Sequence, residues 1–234
     1  INNKGEIMNK LNMFFVLIFT FNISAAPEGA FNTLMVKAKN VDAYVDYMKN
    51  NTGPFEAIGA DVAGVCVTRS GNDYKGQMFV WNAFPSVEKA LAASDLYDPM
   101  NASASFNKLR KVMYSATFKP IKEFDLKPGS ERLWRLKLNN PRAYVQKVTE
   151  LEMAMNKAGH DMRIGVFAPI AGGKEETGMY HVRAVSNTAS ESGAALDDYY
   201  AGAKWGDIWR ESLKYVDEVV TDTMEKCEII YTAN

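Results

Sequence analysis

The sequence predicts an α+β fold in which two βαββαβ units close into a single barrel with helices outside. Three observations carry this. The first is a repeat: "KNVDAYVDYM" and "NNPRAYVQKV" begin the same helix twice, with Asn40, Ala43, Tyr44 and Val45 recurring as Asn140, Ala143, Tyr144 and Val145. The second is that strand-like and helix-like periodicities follow one another in the same order in both halves. The third is a constraint: a lone βαββαβ sheet leaves one face and both edges open, and a second copy can cover them.

In the first half "TLMVKAK" (33–39) alternates and is β-branched, so it reads as a strand. Asn40 then caps a helix with Val41, Tyr44, Val45 and Met48 on one face, the i, i+3, i+4, i+7 stripe that lies on a sheet. "DVAGVCVTRS" (61–70) and "GQMFVWNAF" (76–84) form a hairpin across the turn-rich "GNDYK". "PSVEKALAAS" (85–94) is a second helix and "YSATFKPI" (114–121) a fourth strand. After the linker "DLKPGSE" (125–131), the second half repeats the order. "RLWRLKL" (132–138) is a strand, and Asn140 with Pro141 starts a helix carrying Tyr144, Val145, Val148, Leu151 and Met155 on one face. "MYHVRAV" from Met179 answers "MFVWNAF" from Met78, and "CEIIYT" (227–232) is the last strand. Each unit is a split βαβ, or ferredoxin-like, arrangement, at 28–122 and 130–234.

The first residue is Ile1, so Met8 is the expected start. Lys10, the apolar "MFFVLIFTFNI" (13–23) and "SAA" (24–26) then read as a secretory signal, too short to span a bilayer. Residues 1–26 are assigned to this leader, and the expected location is periplasmic or secreted. A net charge of −1, with no basic run, argues against nucleic-acid binding. No later segment is long and apolar enough to be a membrane-spanning helix. Cys66 and Cys227 are too few for a disulfide scaffold but can pair in an oxidising compartment.

At "FVWNAFPSVEKALAASDLY" (79–97) the first half resembles the antibiotic-biosynthesis-monooxygenase type of dimeric α+β barrel, through Val80, Trp81, Glu88, Ala90, Ser94, Asp95 and Tyr97. The resemblance implies an intramolecular version of that barrel, a monomer with an internal pseudo-dimer or a further homodimer, and a superfamily of diverse activities. Its haem-degrading branch has a Trp within the helix and a His after the Ser-Asp pair. Here Leu91 and Asn101 stand at those positions, so no ligand set is carried over.

Among candidate chemical groups, His160 follows a helix-ending Gly159, while His181 lies within a strand and is aligned with Val80. A lone strand histidine is more often structural, yet His181 is the best candidate base by pKa range. Alternation places Leu34, Val36, Ala38, Trp134, Leu136 and Leu138 under the helices. It places Met35, Lys37, Arg135, Lys137, His181 and Arg183 toward the lumen, with Arg163 a further candidate. Such charges must meet water, carboxylates such as Glu228, or an anionic ligand, unless they reach solvent at the rims. "YYAGAKWGDIW" (199–209) is helical core or a pocket wall, and "AGGKEETG" (171–178) a hairpin turn rather than a phosphate loop. Candidate ligand contacts are therefore Trp81, Tyr97, Lys37, Arg135, Lys137, Arg183, Trp205 and Trp209.

No zinc spacing, phosphate cradle or nucleophile motif is present, so no cofactor or metal is expected. The expected function is binding of a small molecule, an anion among the candidates, with cofactor-independent oxygenation as one outcome; the alternative is a non-catalytic interaction or stress scaffold. Closure should set the second strand of one half beside the fourth of the other. That makes Cys66 and Cys227 neighbours, both assigned to the helix-covered face.

Overall fold

A computed structural model describes residues 27–233; the leader-like segment lies outside them. The chain forms β1 (Ala30–Ala38), α1 (Val41–Asn50), α2 (Gly53–Ala57), β2 (Val62–Ser70), β3 (Gln77–Phe84), α3 (Val87–Leu96), α4 (Ala104–Asn107) and β4 (Arg110–Lys122). It then forms β5 (Gly129–Leu138), α5 (Pro141–Lys157), β6 (Arg163–Ala171), α6 (Gly173–Glu176), β7 (Tyr180–Ser186), α7 (Ala189–Tyr200), α8 (Trp205–Ser212) and β8 (Val216–Thr232).

The two helix starts are built alike. Asn40 and Asn140 each accept a hydrogen bond on the side-chain oxygen from the backbone N–H three residues on, at 3.1 Å in both copies. Tyr44 and Tyr144 are both fully buried beneath their helices. All pairings are antiparallel, in the closed order β1-β3-β2-β8-β5-β7-β6-β4. The sheets β4-β1-β3-β2 and β8-β5-β7-β6 are joined by β2 with β8 and by β6 with β4, so neither keeps a free edge.

Three apolar clusters result. Two lie between the sheet and the helices, one per half. The third fills the lumen with Phe31, Phe79, Trp81, Phe118, Phe167 and the two cysteines, so the barrel is a packed core rather than a channel. Inside it, glycines at matching places in the two halves make room for rings. A Cβ on Gly64 would sit 2.2 Å from the Trp81 indole, and one on Gly165 2.6 Å from Phe167.

Cys66 and Cys227 are direct partners across the β2–β8 seam and are joined in a disulfide, with Cα atoms 4.1 Å apart. Their side chains face the lumen, correcting the expectation that they lie under the helices. Cys66 does share its face with Val62, and Cys227 with Ile229, but a bulge between Ile229 and Tyr231 turns Tyr231 outward against Phe55. The linker expected at 125–131 is shortened by an earlier start of β5, and β8 begins eleven residues before Cys227.

The disulfide closes a 161-residue separation. Replacing both cysteines by alanine should lower unfolding free energy by about 2–5 kcal/mol. Thermal melts with and without reductant will check this: wild type should shift down in reductant and the double variant should not.

Candidate functional site

In each half a cavity, partly open to solvent, lies between the sheet and the helices. The first-half cavity measures about 390 Å³ and is walled by β1, β3 and β4 below and by α1 to α4 above. Asn32 and Asn82 are cross-strand partners on its floor. Asn32 is used up, donating to the Ala90 carbonyl at 2.7 Å and accepting from Thr117 at 2.9 Å. The buried Oδ1 of Asn82 has no partner.

At one end stands Arg110, only 4 % exposed. It donates to the Tyr44 hydroxyl at 2.9 Å, to the Tyr97 hydroxyl at 3.1 Å and to the Pro99 carbonyl at 3.2 Å, and its guanidinium lies 4.3 Å from the Phe106 ring centroid. Among the described residues no carboxylate pairs with it, and its Nε is buried without an acceptor. Burial raises the Tyr44 pKa, with Arg110 opposing, so Tyr44 stays neutral and cannot serve as the counter-ion. An arginine desolvated without an anion is costly.

The fold does not demand it. Ala38 pairs with Arg110 in the first half and Leu138 with Val216 in the second, so valine fills the equivalent place and the Tyr144 hydroxyl goes without a partner. The floor changes too: Asn32, Asn82 and Thr117 correspond through the pairings to Arg132, Ala184 and Met224. The second-half cavity, about 240 Å³, is thus apolar and aromatic, with Trp134, Tyr199, Trp205 and Trp209 in its wall. Its single charged residue, Arg132, is bound to Asp222 through Nε at 2.8 Å.

The sequence-derived candidates divide among these places. Tyr97 faces the first cavity, and Trp205 and Trp209 the second. Trp81 does not reach either cavity; it stacks in the lumen over Gly64. Lys37 and Lys137 are exposed, the former over the Tyr74 ring and the latter paired with Glu218 at 2.7 Å, because both stand at strand ends. Arg163 is buried and touches Asn187 at 3.4 Å. Glu228 points outward to Lys49 at 2.7 Å, so it does not neutralise the lumen. His160 lies 3.0 Å from Asp198 and edge-on to Trp205.

Arg135 and Arg183 are instead matched by carboxylates not singled out in the sequence, whereas Arg163 keeps Nε and Nη1 buried without an acceptor. The 171–178 connection contains a helical turn, α6, that inserts Glu176 into the barrel end. Glu176 accepts from Arg135 at 2.9 Å, Tyr114 at 2.8 Å and His181 at 3.1 Å. Burial alone would raise its pKa, but His181 and Arg135 hold it below the usual range. His181 is pushed down by burial, with Glu176 opposing, so a neutral imidazole stacks on Phe118 with ring centroids 4.1 Å apart. His181 lines neither cavity and meets Glu176 inside the barrel. The strand pairings also shift its repeat register: Leu34 pairs with Val80 and Trp134 with Val182, making Phe79 the counterpart of His181. Deeper in, Arg183 is clamped by Glu131 at 2.7 and 2.8 Å, lies 3.3 Å from the Cys66 sulfur, and is ringed by Phe79, Phe124 and Phe167.

Glu225, 3 % exposed, completes this group. Burial pushes its carboxyl up to about 7, with the Thr223 and Thr68 hydroxyls opposing and Glu131 adding to the rise. A folded-state pKa above the ordinary 4.5 means that the proton favours the fold. This contribution, about 3 kcal/mol, is complete below the ordinary value and is lost as pH rises through the folded one. Glu225→Gln should therefore gain stability relative to wild type between pH 4.5 and 7, as read from paired denaturant titrations across that range. Glu176→Gln should cost about 3–5 kcal/mol at neutral pH by leaving Arg135 half-paired in the barrel, measurable in the same titrations.

No protein-family model and no curated protein matches the sequence. Solved structures do. A candidate monooxygenase from Lactobacillus acidophilus NCFM superposes with TM-score 0.57 at 9 % identity, covering 88 % of this chain and 95 % of its own. A candidate chlorite dismutase gives 0.52 at 11 % identity, covering 86 % and 95 %. A heme-binding protein from Thermus thermophilus gives 0.50 at 10 %, covering 86 % and 91 %. For haem iron neither cavity wall carries an imidazole or a thiolate, which leaves phenol and thioether groups such as Tyr47, Tyr97, Tyr199 and Met155, and Leu91 and Asn101 lie exposed outside both cavities. What the neighbours and the closed strand order establish together is the architecture: two ferredoxin-like units of one chain form a dimeric α+β barrel.

Proposed function

We propose that this protein binds a small, mostly apolar anion in its first-half cavity and acts on it as a cofactor-independent oxygenase. The observation that carries the reading is Arg110, a buried cation without a carboxylate on the wall of a 390 Å³ cavity. That volume lies in the range of ordinary ligand sites, and an enclosed apolar wall with a few convergent polar groups is the usual form of such a site.

An oxygenase without a cofactor must draw electrons for dioxygen from its substrate, which therefore has to be held as an electron-rich anion. Arg110 would stabilise an enolate or phenolate oxygen, and the Tyr97 hydroxyl would orient beside it. The apolar ceiling, with Phe106, Phe55 and Ile58, would keep water from the anion. Two cavities beneath the helices weigh against a merely packed scaffold. The disulfide, with the leader-like start, supports export to an oxidising compartment.

One structural neighbour, with TM-score 0.50, is an anthrone oxidase-like protein, and anthrone is an enolisable molecule suited to the test. Oxygen uptake with anthrone should exceed the uncatalysed rate, and Arg110→Leu should lower kcat/KM by about 10- to 100-fold, the value of a hydrogen bond to a charged group. Arg110→Lys should fall between. Uptake no faster than in buffer, or unaffected by Arg110→Leu, would remove the reading.

A further inference from the structure

We infer that the barrel rim formed by the end of β1, the β2–β3 turn and the start of β4 is a docking surface for an anionic lipid bilayer. The inference rests on charge and exposure at that rim and is independent of the activity assigned to the first-half cavity.

The repeat shows that the charge is not required by the fold. In the first half Lys37 and Lys111 are direct partners across β1 and β4, and both are exposed. Like charges directly opposite one another in an antiparallel pair destabilise it. The second half sets Lys137 opposite Glu218 at the matching place, joined at 2.7 Å. Asn139, the counterpart of Lys39, donates to Asp217 at 2.8 Å. One copy neutralises this rim and the other does not.

Backbone contacts gather further lysines around the same pair. The Ala38 N–H donates to the Gly76 carbonyl at 2.8 Å, which sets exposed Lys75 beside the end of β1. The N–H of Lys39, itself exposed, donates to the Leu109 carbonyl at 2.9 Å and brings exposed Lys108 to the same place. Among the described residues none of these five lysines pairs with a carboxylate. Segments 37–42, 71–77 and 96–111 carry only Asp42, Asp73 and Asp98 as acids, and Asp98 is engaged by the Met100 N–H at 2.8 Å and by Asn101 at 2.6 Å.

Apolar side chains stand beside the charge. Arg110, next to Lys111 in β4, holds the Tyr97 hydroxyl at 3.1 Å and the Pro99 carbonyl at 3.2 Å, drawing the α3–β4 connection onto this rim. Leu96 and Met100 flank those contacts and are 65 % and 67 % exposed. A bilayer answers both features. Its anionic headgroups attract clusters of roughly four to eight basic residues, and exposed apolar side chains enter the acyl boundary beneath them. A nucleic-acid duplex offers phosphates but no apolar layer for Leu96 and Met100. Surface contact of this kind needs no spanning segment.

Flotation of the full chain with vesicles of phosphatidylcholine, alone or in a roughly two-to-one mixture with phosphatidylglycerol, tests the inference. Any contribution from residues 1–26 is common to every variant compared. Binding should favour the anionic vesicles and weaken as salt rises. Lys37→Gln, Lys75→Gln and Lys111→Gln together should weaken it by about 100-fold, at about five-fold per lysine. Neutralising Lys49, Lys147 and Lys157 instead should change it by less than about three-fold, because charges away from the contact are screened. Leu96→Ser with Met100→Ser should weaken it by about ten-fold. Lys111→Glu, which gives the first half the second half's pair, should raise the melting temperature while weakening binding. The inference is overturned if anionic vesicles are not preferred, if the rim and control variants bind alike, or if the two serines leave binding unchanged. It is also overturned if a short DNA duplex binds as tightly as the vesicles with the same dependence on the rim lysines.

Discussion

Closure of the two sheets along the β2–β8 and β6–β4 seams is the constraint on which the rest of this structure depends. Without those ladders each half would keep two unpaired edges, and its inner face would meet water. With them, the inner faces become one lumen too narrow for anything but side chains, and every polar group on those faces must find its partner inside. The disulfide ties the β2–β8 seam, and the guanidinium of Arg183 packs directly against it while being clamped by Glu131. At the opposite seam Glu176, inserted by a single helical turn, collects Arg135, Tyr114 and His181. Arg135 and Arg183, which an anion site in the lumen would have needed, are consumed in holding the barrel shut.

Closure also frees the outer faces. Because the lumen supplies the common core, the space between each sheet and its helices has been filled differently in the two halves. Both keep the capped helix start and the buried tyrosine beneath it. Around that shared frame one half has Arg110 with Asn32, Asn82 and Thr117, while the other has Val216, Arg132, Ala184 and Met224 at the paired positions. A difference at equivalent positions, where backbone and packing are the same, is a better guide to ligand chemistry than the cavities' shapes. It separates what the fold needs, Tyr44 and Tyr144, from what it merely permits, Arg110.

The sequence by itself determined the architecture. The recurrence of Asn-x-x-Ala-Tyr-Val, the order of periodicities and the need to cover sheet edges suffice to derive two ferredoxin-like units, their closure, and the adjacency of Cys66 and Cys227, because each is a local or topological rule. Tyr97, singled out through the family resemblance, and the 199–209 segment, left open between helical core and pocket wall, both line cavities.

Which face is which was decided only by the tertiary structure. Strands such as Val62–Ser70 are apolar on both sides, so alternation gives two sets of residues but not which set faces the lumen, and the cysteines were assigned to the wrong one. Bulges then break the alternation itself. One at Met113 lets Tyr114 face the lumen while Arg110 faces the helices, although their even spacing would put both on one side. The pairing of Arg135 and Arg183 with Glu176 and Glu131 joins positions 41 and 52 residues apart, and the isolation of Arg110 is a property of everything packed around it. A sequence records which charges exist; only the closed barrel settles which of them have already found a partner.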